Sequence, residues 1–307
     1  MLIFGKIKQI LANNSPFFKF ILLFLRNMNG FGTSSINVGG KLLSMEQPLV
    51  MGIVNVTPDS FHAASRVQTE GEILARARQM VADGAQILDV GAFSTRPGAQ
   101  PVPPEVETAR LETALRIIKG ELPEVPVSVD TFRPSVAERC VTEWGADIVN
   151  DVGTIAMATP SADDERRKEE MFRLVARLKV PYILMSSAPT MDEMMLGFAR
   201  DVDRLYQLGQ KDIILDPGFG FGKTREQNFD ILHQLDRLKV FRLPVLVGLS
   251  RKSMLRQGDA DTDAQLLAAT MAANEAALQQ GADILRVHDV KEAAATIRRH
   301  CAAQCPQ

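Results

Sequence analysis

Eight short apolar runs in this chain each give way to polar or charged residues, and the types of those residues suggest a chemistry. In chain order they are Asn55; Asp89, followed by Ser94-Thr95-Arg96; Asp130; Asn150-Asp151; Ser186-Ser187; Asp216; Ser250-Arg251-Lys252; and Arg286 with His288. Any one of them could cap a helix or satisfy a nearby backbone group. Eight in phase point to one shared site. Asp130, Asn150, Asp216 and Lys252 supply acceptors, an amide and a cation, which suits a flat heterocycle with alternating donors and acceptors. Arg96, Arg251, Arg286 and His288 suit an anion, since a guanidinium offers a planar fork to phosphate oxygens. Together the two sets imply a heterocyclic substrate carrying a phosphate or diphosphate.

The elements that must position these residues repeat regularly. The β-branched runs are Val50–Val54, Ile87–Val90, Val127–Val129, Ile148–Val149, Tyr182–Met185, Ile213–Leu215, Val245–Leu249 and Ile284–Val287, which predicts eight strands. Helical segments separate them. Thr69 and Glu72 have capping-box spacing, and Ile73, Leu74, Ala77, Met80 and Val81 follow as a helical stripe. Gly84-Ala-Gln-Ile-Leu-Asp, Gly145-Ala-Asp-Ile-Val-Asn and Gly281-Ala-Asp-Ile-Leu-Arg repeat one phrase, a glycine ending a helix just before a strand. Eight alternations over about 270 residues predict an α/β fold of the (β/α)8 TIM-barrel type, with its site at the C-terminal ends of the strands. The alternative, a doubly wound open sheet, usually has fewer strands and a Gly-rich first turn. Here the first strand runs into Asn55-Val-Thr-Pro-Asp59-Ser-Phe instead.

Composition excludes other classes. The chain has 307 residues and a net charge of −2, without the basic surplus of a nucleic-acid binder. Three cysteines are too few for a disulfide scaffold, and no apolar run is long enough to span a bilayer, so a cytoplasmic enzyme with no membrane partner is expected. Residues 1–32 hold six of the fifteen Phe and four basic residues but no acid; the 31 basic and 37 acidic residues that remain give −6. Residues 1–35 therefore read as an extension outside the fold and 36–307 as the barrel. Two further motifs fail. Asp216-Pro-Gly-Phe-Gly-Phe-Gly-Lys223-Thr lacks the glycine spacing of a phosphate-binding P-loop. Cys301 and Cys305, with His300 beside them, do not complete a zinc set. His62, His233 and His300 read as surface or loop histidines.

Seven blocks resemble the signatures of the dihydropteroate synthase family. They are Met51-Gly-Ile-Val-Asn-Val-Thr-Pro-Asp-Ser-Phe61, Ser94-Thr-Arg-Pro-Gly-Ala99, Val129-Asp-Thr131, Asn150-Asp151, Asp216-Pro-Gly218, Ser250-Arg-Lys252 and Arg286-Val-His-Asp289. The resemblance runs from about Ile36 to the last helix. It implies a homodimeric, Mg²⁺-requiring enzyme of folate synthesis that joins p-aminobenzoate to (7,8-dihydropterin-6-yl)methyl diphosphate. By the same resemblance Asp130, Asn150, Asp216 and Lys252 bind the pterin, and Asn55 is the metal ligand. Arg286, Val287 and His288 meet the diphosphate, and Thr95 and Arg96 close over it. Ser94, Pro97, Ser250 and Arg251 shape the aminobenzoate pocket. Asp59 is either a catalytic group of the first loop or a turn residue beside Pro58. Without ligand, the site carboxylates are expected to stay solvated, because burying them unpaired is costly.

The chain departs from the family pattern at Phe61-His-Ala-Ala-Ser-Arg66, where an Asp-Gly-Gly phrase is common, and at Ala92-Phe93. It departs again at Asp151-Val-Gly153-Thr, at Met185-Ser-Ser and at Gln265–Thr270. These changes keep two alternatives open: a pterin-dependent methyltransferase domain, or a catalytically impaired pterin-binding paralogue.

Overall fold

The computed structural model describes residues 35–57, 70–93, 102–153, 162–256, 258 and 261–304. Ten strands and eight α-helices occur among them. β1 (Ser35–Val38) and β2 (Lys41–Ser44) form an antiparallel hairpin. Then β3 (Leu49–Asn55), β4 (Ile87–Gly91), β5 (Val127–Asp130), β6 (Ile148–Asp151), β7 (Tyr182–Met185), β8 (Ile213–Asp216), β9 (Leu246–Val247) and β10 (Ile284–Val287) make one parallel sheet in the order β8-β7-β6-β5-β4-β3-β10-β9. A parallel bridge between Leu215 and Val245 joins the two edge strands, so the sheet closes on itself. The helices α1 (Glu70–Asp83), α2 (Pro104–Glu121), α3 (Pro134–Trp144), α4 (Ala162–Leu178), α5 (Met191–Gln207), α6 (Arg225–His233), α7 (Asp263–Gln279) and α8 (Val290–Gln304) alternate with these strands. This is the (β/α)8 barrel.

The glycines of the repeated phrase take the conformation predicted for them. Gly84, Gly145 and Gly281 have φ of 109°, 73° and 89°, a region that a side chain disfavours. Each lets the chain leave a helix and enter β4, β6 or β10 within three residues. The helical stripe of α1 buries Ile73, Ala77 and Met80 against the strands, with Leu74 and Val81 at its margin. Thr69, expected to cap it, lies outside the described residues. Gln265 opens α7 in a capping box with Thr262, so that off-pattern segment is a well-formed helix start.

Two features differ from expectation. The run Val245–Leu249 yields a strand of two residues, with Val245 forming only a bridge to Leu215 and a turn closed by the Lys252 amide on the Leu249 carbonyl following it. The hairpin was not foreseen. It covers the N-terminal end of the barrel, where Ile36 and Val38 join Met51, Ile87, Ile148, Ile183, Ile214, Leu246 and Ile284 in an aliphatic cluster. This cluster packs the barrel floor by apolar burial, and the Asn37 amide ties the hairpin to Asp212 Oδ1 at 3.0 Å.

Candidate active site

At the opposite end the strands finish in polar groups. Asn55, Asp130, Asp151 and Asp216 are the last residues of β3, β5, β6 and β8. Asn150 precedes Asp151, Val287 ends β10, and His288 follows it. Parallel register sets Gly91 beside Asp130 and Asp130 beside Asn150, so the strand ends are level. Asp59, Ser94, Thr95, Arg96, Pro97 and His62 lie outside the described residues.

The centre of the mouth is a charged cluster. Arg286 Nε donates to Asp89 Oδ2 at 2.6 Å and Nη2 donates to Asp130 Oδ2 at 2.6 Å. Asn150 Nδ2 donates to the same Asp89 oxygen at 3.1 Å. The side chains of Asp89, Asp130 and Arg286 are 0%, 14% and 16% exposed. The carboxylates are thus paired with Arg286 and largely withdrawn from water, rather than solvated as expected. Pairing is how a buried charge becomes tolerable. Burial pushes Asp130 up to about 7; Arg286 pulls the other way, while Asp89, Glu107 and Asp151 add to the rise. Burial opposes the Arg286 charge, but Asp89 and Asp130 outweigh it and hold its pKa above the ordinary value. Asp89 Oδ1, Asp130 Oδ1 and Asn150 Oδ1 are buried without a partner among the described residues. Native interiors rarely leave such acceptors unmet, and these three can accept N–H groups.

A second cluster stands on β8 and the turn after it. Asp216 Oδ1 accepts the Gly218 amide at 2.8 Å. Burial raises the pKa of Asp216, against the pull of that amide, Arg286, Lys252 and Lys223. The Lys252 ammonium lies 3.9 Å from the centre of the Phe221 ring. Beside it, Ser250 Oγ and His288 Nδ1 share a hydrogen bond of 3.0 Å, and the His288 amide also donates to that oxygen. Arg251, with φ of 58°, directs its guanidinium to Asp289 through two bonds of 2.9 and 2.8 Å, and to Asp263. It is held at the rim by these acids.

Three contributors had no assigned role in the sequence reading. Asp89 was visible as a strand-end acid, but its burial under Arg286 was not. Glu107, in the first turn of α2, is fully buried and accepts from Thr131 Oγ1 at 2.6 Å and from Arg133. Lys223 closes the segment that lacks P-loop spacing, and no spacing signal marks it. His300 is 8% exposed between Glu275 and Gln304 on the outer helices, so it is neither a surface nor a site histidine. His233 is exposed at the end of α6.

Fold and mouth define a (β/α)8 barrel enzyme with a charged site at the strand C-termini. Residues 51–288 match the family of pterin binding enzymes. The dihydropteroate synthase of Escherichia coli (strain K12) is 36% identical over 265 residues, covering 84% of this chain and 93% of that protein. That of Bacillus subtilis (strain 168) is 35% identical, covering 81% and 86%. The structure of Xanthomonas albilineans dihydropteroate synthase in complex with 7,8-dihydropteroate superposes with a TM-score of 0.75 at 32% identity, over 89% of this chain and 100% of that one. The chain belongs to the dihydropteroate synthase family of pterin-binding enzymes. It is a transferase of folate biosynthesis.

Proposed function

We propose that this mouth binds (7,8-dihydropterin-6-yl)methyl diphosphate and p-aminobenzoate and joins them into 7,8-dihydropteroate. The methylene C–O bond breaks and diphosphate leaves with its electrons. The arylamine nitrogen forms the new C–N bond and gives up one proton. The protein need supply no nucleophile: it aligns two reactants and stabilises the charges that separate. The carrying observation is the set of buried, unmet oxygens on Asp89, Asp130 and Asn150 beside the Arg286 guanidinium. Asp130 and Asp216 would accept pterin N–H groups, Lys252 would donate to a pterin acceptor, and Asn150 can do both.

Arg286, whose Nε and Nη2 are engaged by Asp89 and Asp130, would with His288 meet the departing diphosphate through its remaining donors; Val287, fully buried, fixes the backbone between them. Thr95 and Arg96 would close from the second loop, and Asp59 would act from the first. Ser94, Pro97 and Ser250 would shape the aminobenzoate pocket. Arg251, neutralised by Asp289, would contribute there through the turn it makes.

Mg²⁺ is part of this reading, with Asn55 as its protein ligand. Among the described residues no group of three or more His, Cys, Asp or Glu is placed to hold a metal. The fit is of another kind. Gly91 lacks a Cβ, and the space it leaves has Asn55 Oδ1 and Asp130 Oδ2 each 3.7 Å from that position. One amide oxygen with substrate phosphate and water oxygens suits Mg²⁺, which would neutralise charge on the leaving diphosphate. The family likeness also supports a homodimer, and the low cysteine count supports a cytoplasmic enzyme. No helix among the described residues is long and apolar enough to cross a membrane.

The test is turnover. Purified chain with both substrates and Mg²⁺ should release dihydropteroate and diphosphate in equal amounts. Tight pterin binding without product would overturn the catalytic reading in favour of a non-catalytic pterin binder.

A further inference from the structure

The turn Asp216-Pro-Gly-Phe-Gly-Phe-Gly-Lys223 failed as a phosphate loop, yet it contains a device. Gly218, Gly220 and Gly222 have φ of 64°, 76° and 62°, so the backbone coils and turns carbonyls inward. The Lys223 ammonium donates to the carbonyls of Ser186 at 3.0 Å, Gly218 at 3.0 Å and Phe221 at 3.3 Å. An ammonium has three donors, and here each has an acceptor. Two acceptors belong to the turn after β8 and one to the segment after β7. The two segments touch so closely that a Cβ on Gly218 would lie 2.3 Å from the Ser186 oxygen.

The outer side of the same turn faces the pterin groups of the preceding reading. Gly218 gives its amide to Asp216. A Cβ on Gly220 would lie 2.9 Å from Lys252 Cδ, so the Lys252 stem runs flat along the turn. Phe221 sits under the Lys252 ammonium. The residues whose carbonyls Lys223 grips are therefore among those that set where Asp216 and Lys252 sit. We infer that Lys223 is a positioning residue, whose three carbonyl bonds hold the turn in the shape that aims Asp216 and Lys252 at the heterocycle. Asn228 assists from α6, accepting the Gly220 amide at 2.8 Å and donating to the Lys223 carbonyl.

Such a role has a pH signature. Burial lowers the Lys223 pKa to about 8; Asp216 raises it and Lys252 lowers it further. Neutral Lys223 keeps two donors for three carbonyls, so the turn loosens as the proton leaves. The inference rests on the heterocycle role given to Asp216 and Lys252, and the experiment separates the two. Equilibrium binding of (7,8-dihydropterin-6-yl)methyl diphosphate is measured from about pH 7 to 9 on wild type, Lys223→Met and Lys252→Met. Wild-type affinity should fall about fivefold across that range, and Lys223→Met should bind about tenfold more weakly and lack that fall, keeping only the rise of about twofold that Asp130 gives as its ionisation completes. If Lys252→Met weakens binding while Lys223→Met matches wild type in affinity and slope, this inference alone is wrong. If Lys252→Met binds as well as wild type, the heterocycle reading falls and takes the inference with it. If Lys223→Met does not fold, the wild-type series decides, and a flat profile overturns the proposal.

Discussion

The two ends of one barrel obey opposite rules. At the floor, ten strand and hairpin positions are apolar, every one is buried, and a hairpin closes that end. At the mouth, the same strands end in Asn55, Asp130, Asn150, Asp216 and Arg286, and several buried oxygens find no partner. The floor gains stability from every contact it makes. The mouth holds buried charges that burial itself disfavours, tolerable because Arg286 pairs with two of them. Stability and ligand chemistry are thus separated by the length of a strand, which lets the site keep unmet hydrogen-bonding capacity without unfolding the chain.

This contrast can be attacked from either end. Ile87→Ala, at a floor position with no exposure, should lower unfolding stability by about 2–5 kcal/mol, read by chemical denaturation, with turnover per folded molecule unchanged. Asp216→Asn should do the reverse. Losing a charged acceptor costs about 1.5–3 kcal/mol, or roughly ten- to 150-fold in pterin affinity by calorimetry. Its melting temperature should stay level or rise, because burial penalises the native charge.

Asp130 supplies a pH test with opposing signs. Its folded pKa, about 7, lies above the ordinary 3.8, so the folded chain holds this proton more tightly than the unfolded one. The stability it contributes is complete below about pH 4 and is lost as pH rises through about 7. Pterin affinity should climb over the upper part of that range as Asp130 ionises. Stability and affinity moving in parallel would break the comparison. The smallest effect belongs to Gly145→Ala, which forces a side chain to φ of 73° and should cost about 1 kcal/mol with no change in pterin binding.

The barrel was legible because its signals are local and repeated. β-branched runs marked the strands, and the recurrent glycine phrase marked where helices stop. The hairpin was not legible: Leu42 is 76% exposed and Lys41–Ser44 has no buried face, so nothing in those four residues alternates like a core strand. The site was half legible. Strand-end position placed Asp130, Asn150, Asp216 and Arg286 at the mouth, and Lys252 in the segment after β9, but sequence does not say which charges pair. Arg251 and Asp289 meet across two loops 38 residues apart, and Arg286 reaches Asp89 across 197. Glu107 resembles an ordinary acid in a helix's first turn until α2 is packed over Thr131. Lys223 was hidden for a related reason, since its partners are backbone carbonyls and no residue type announces them.

The central claim is that the mouth is built to receive a pterin through its buried acids. Calorimetric titration of (7,8-dihydropterin-6-yl)methyl diphosphate into wild type and Asp130→Asn tests it most directly. The expected result is saturable one-to-one binding by wild type and binding at least tenfold weaker by Asp130→Asn at equal thermal stability. Equal affinity in the two proteins, or no binding by wild type, would contradict it.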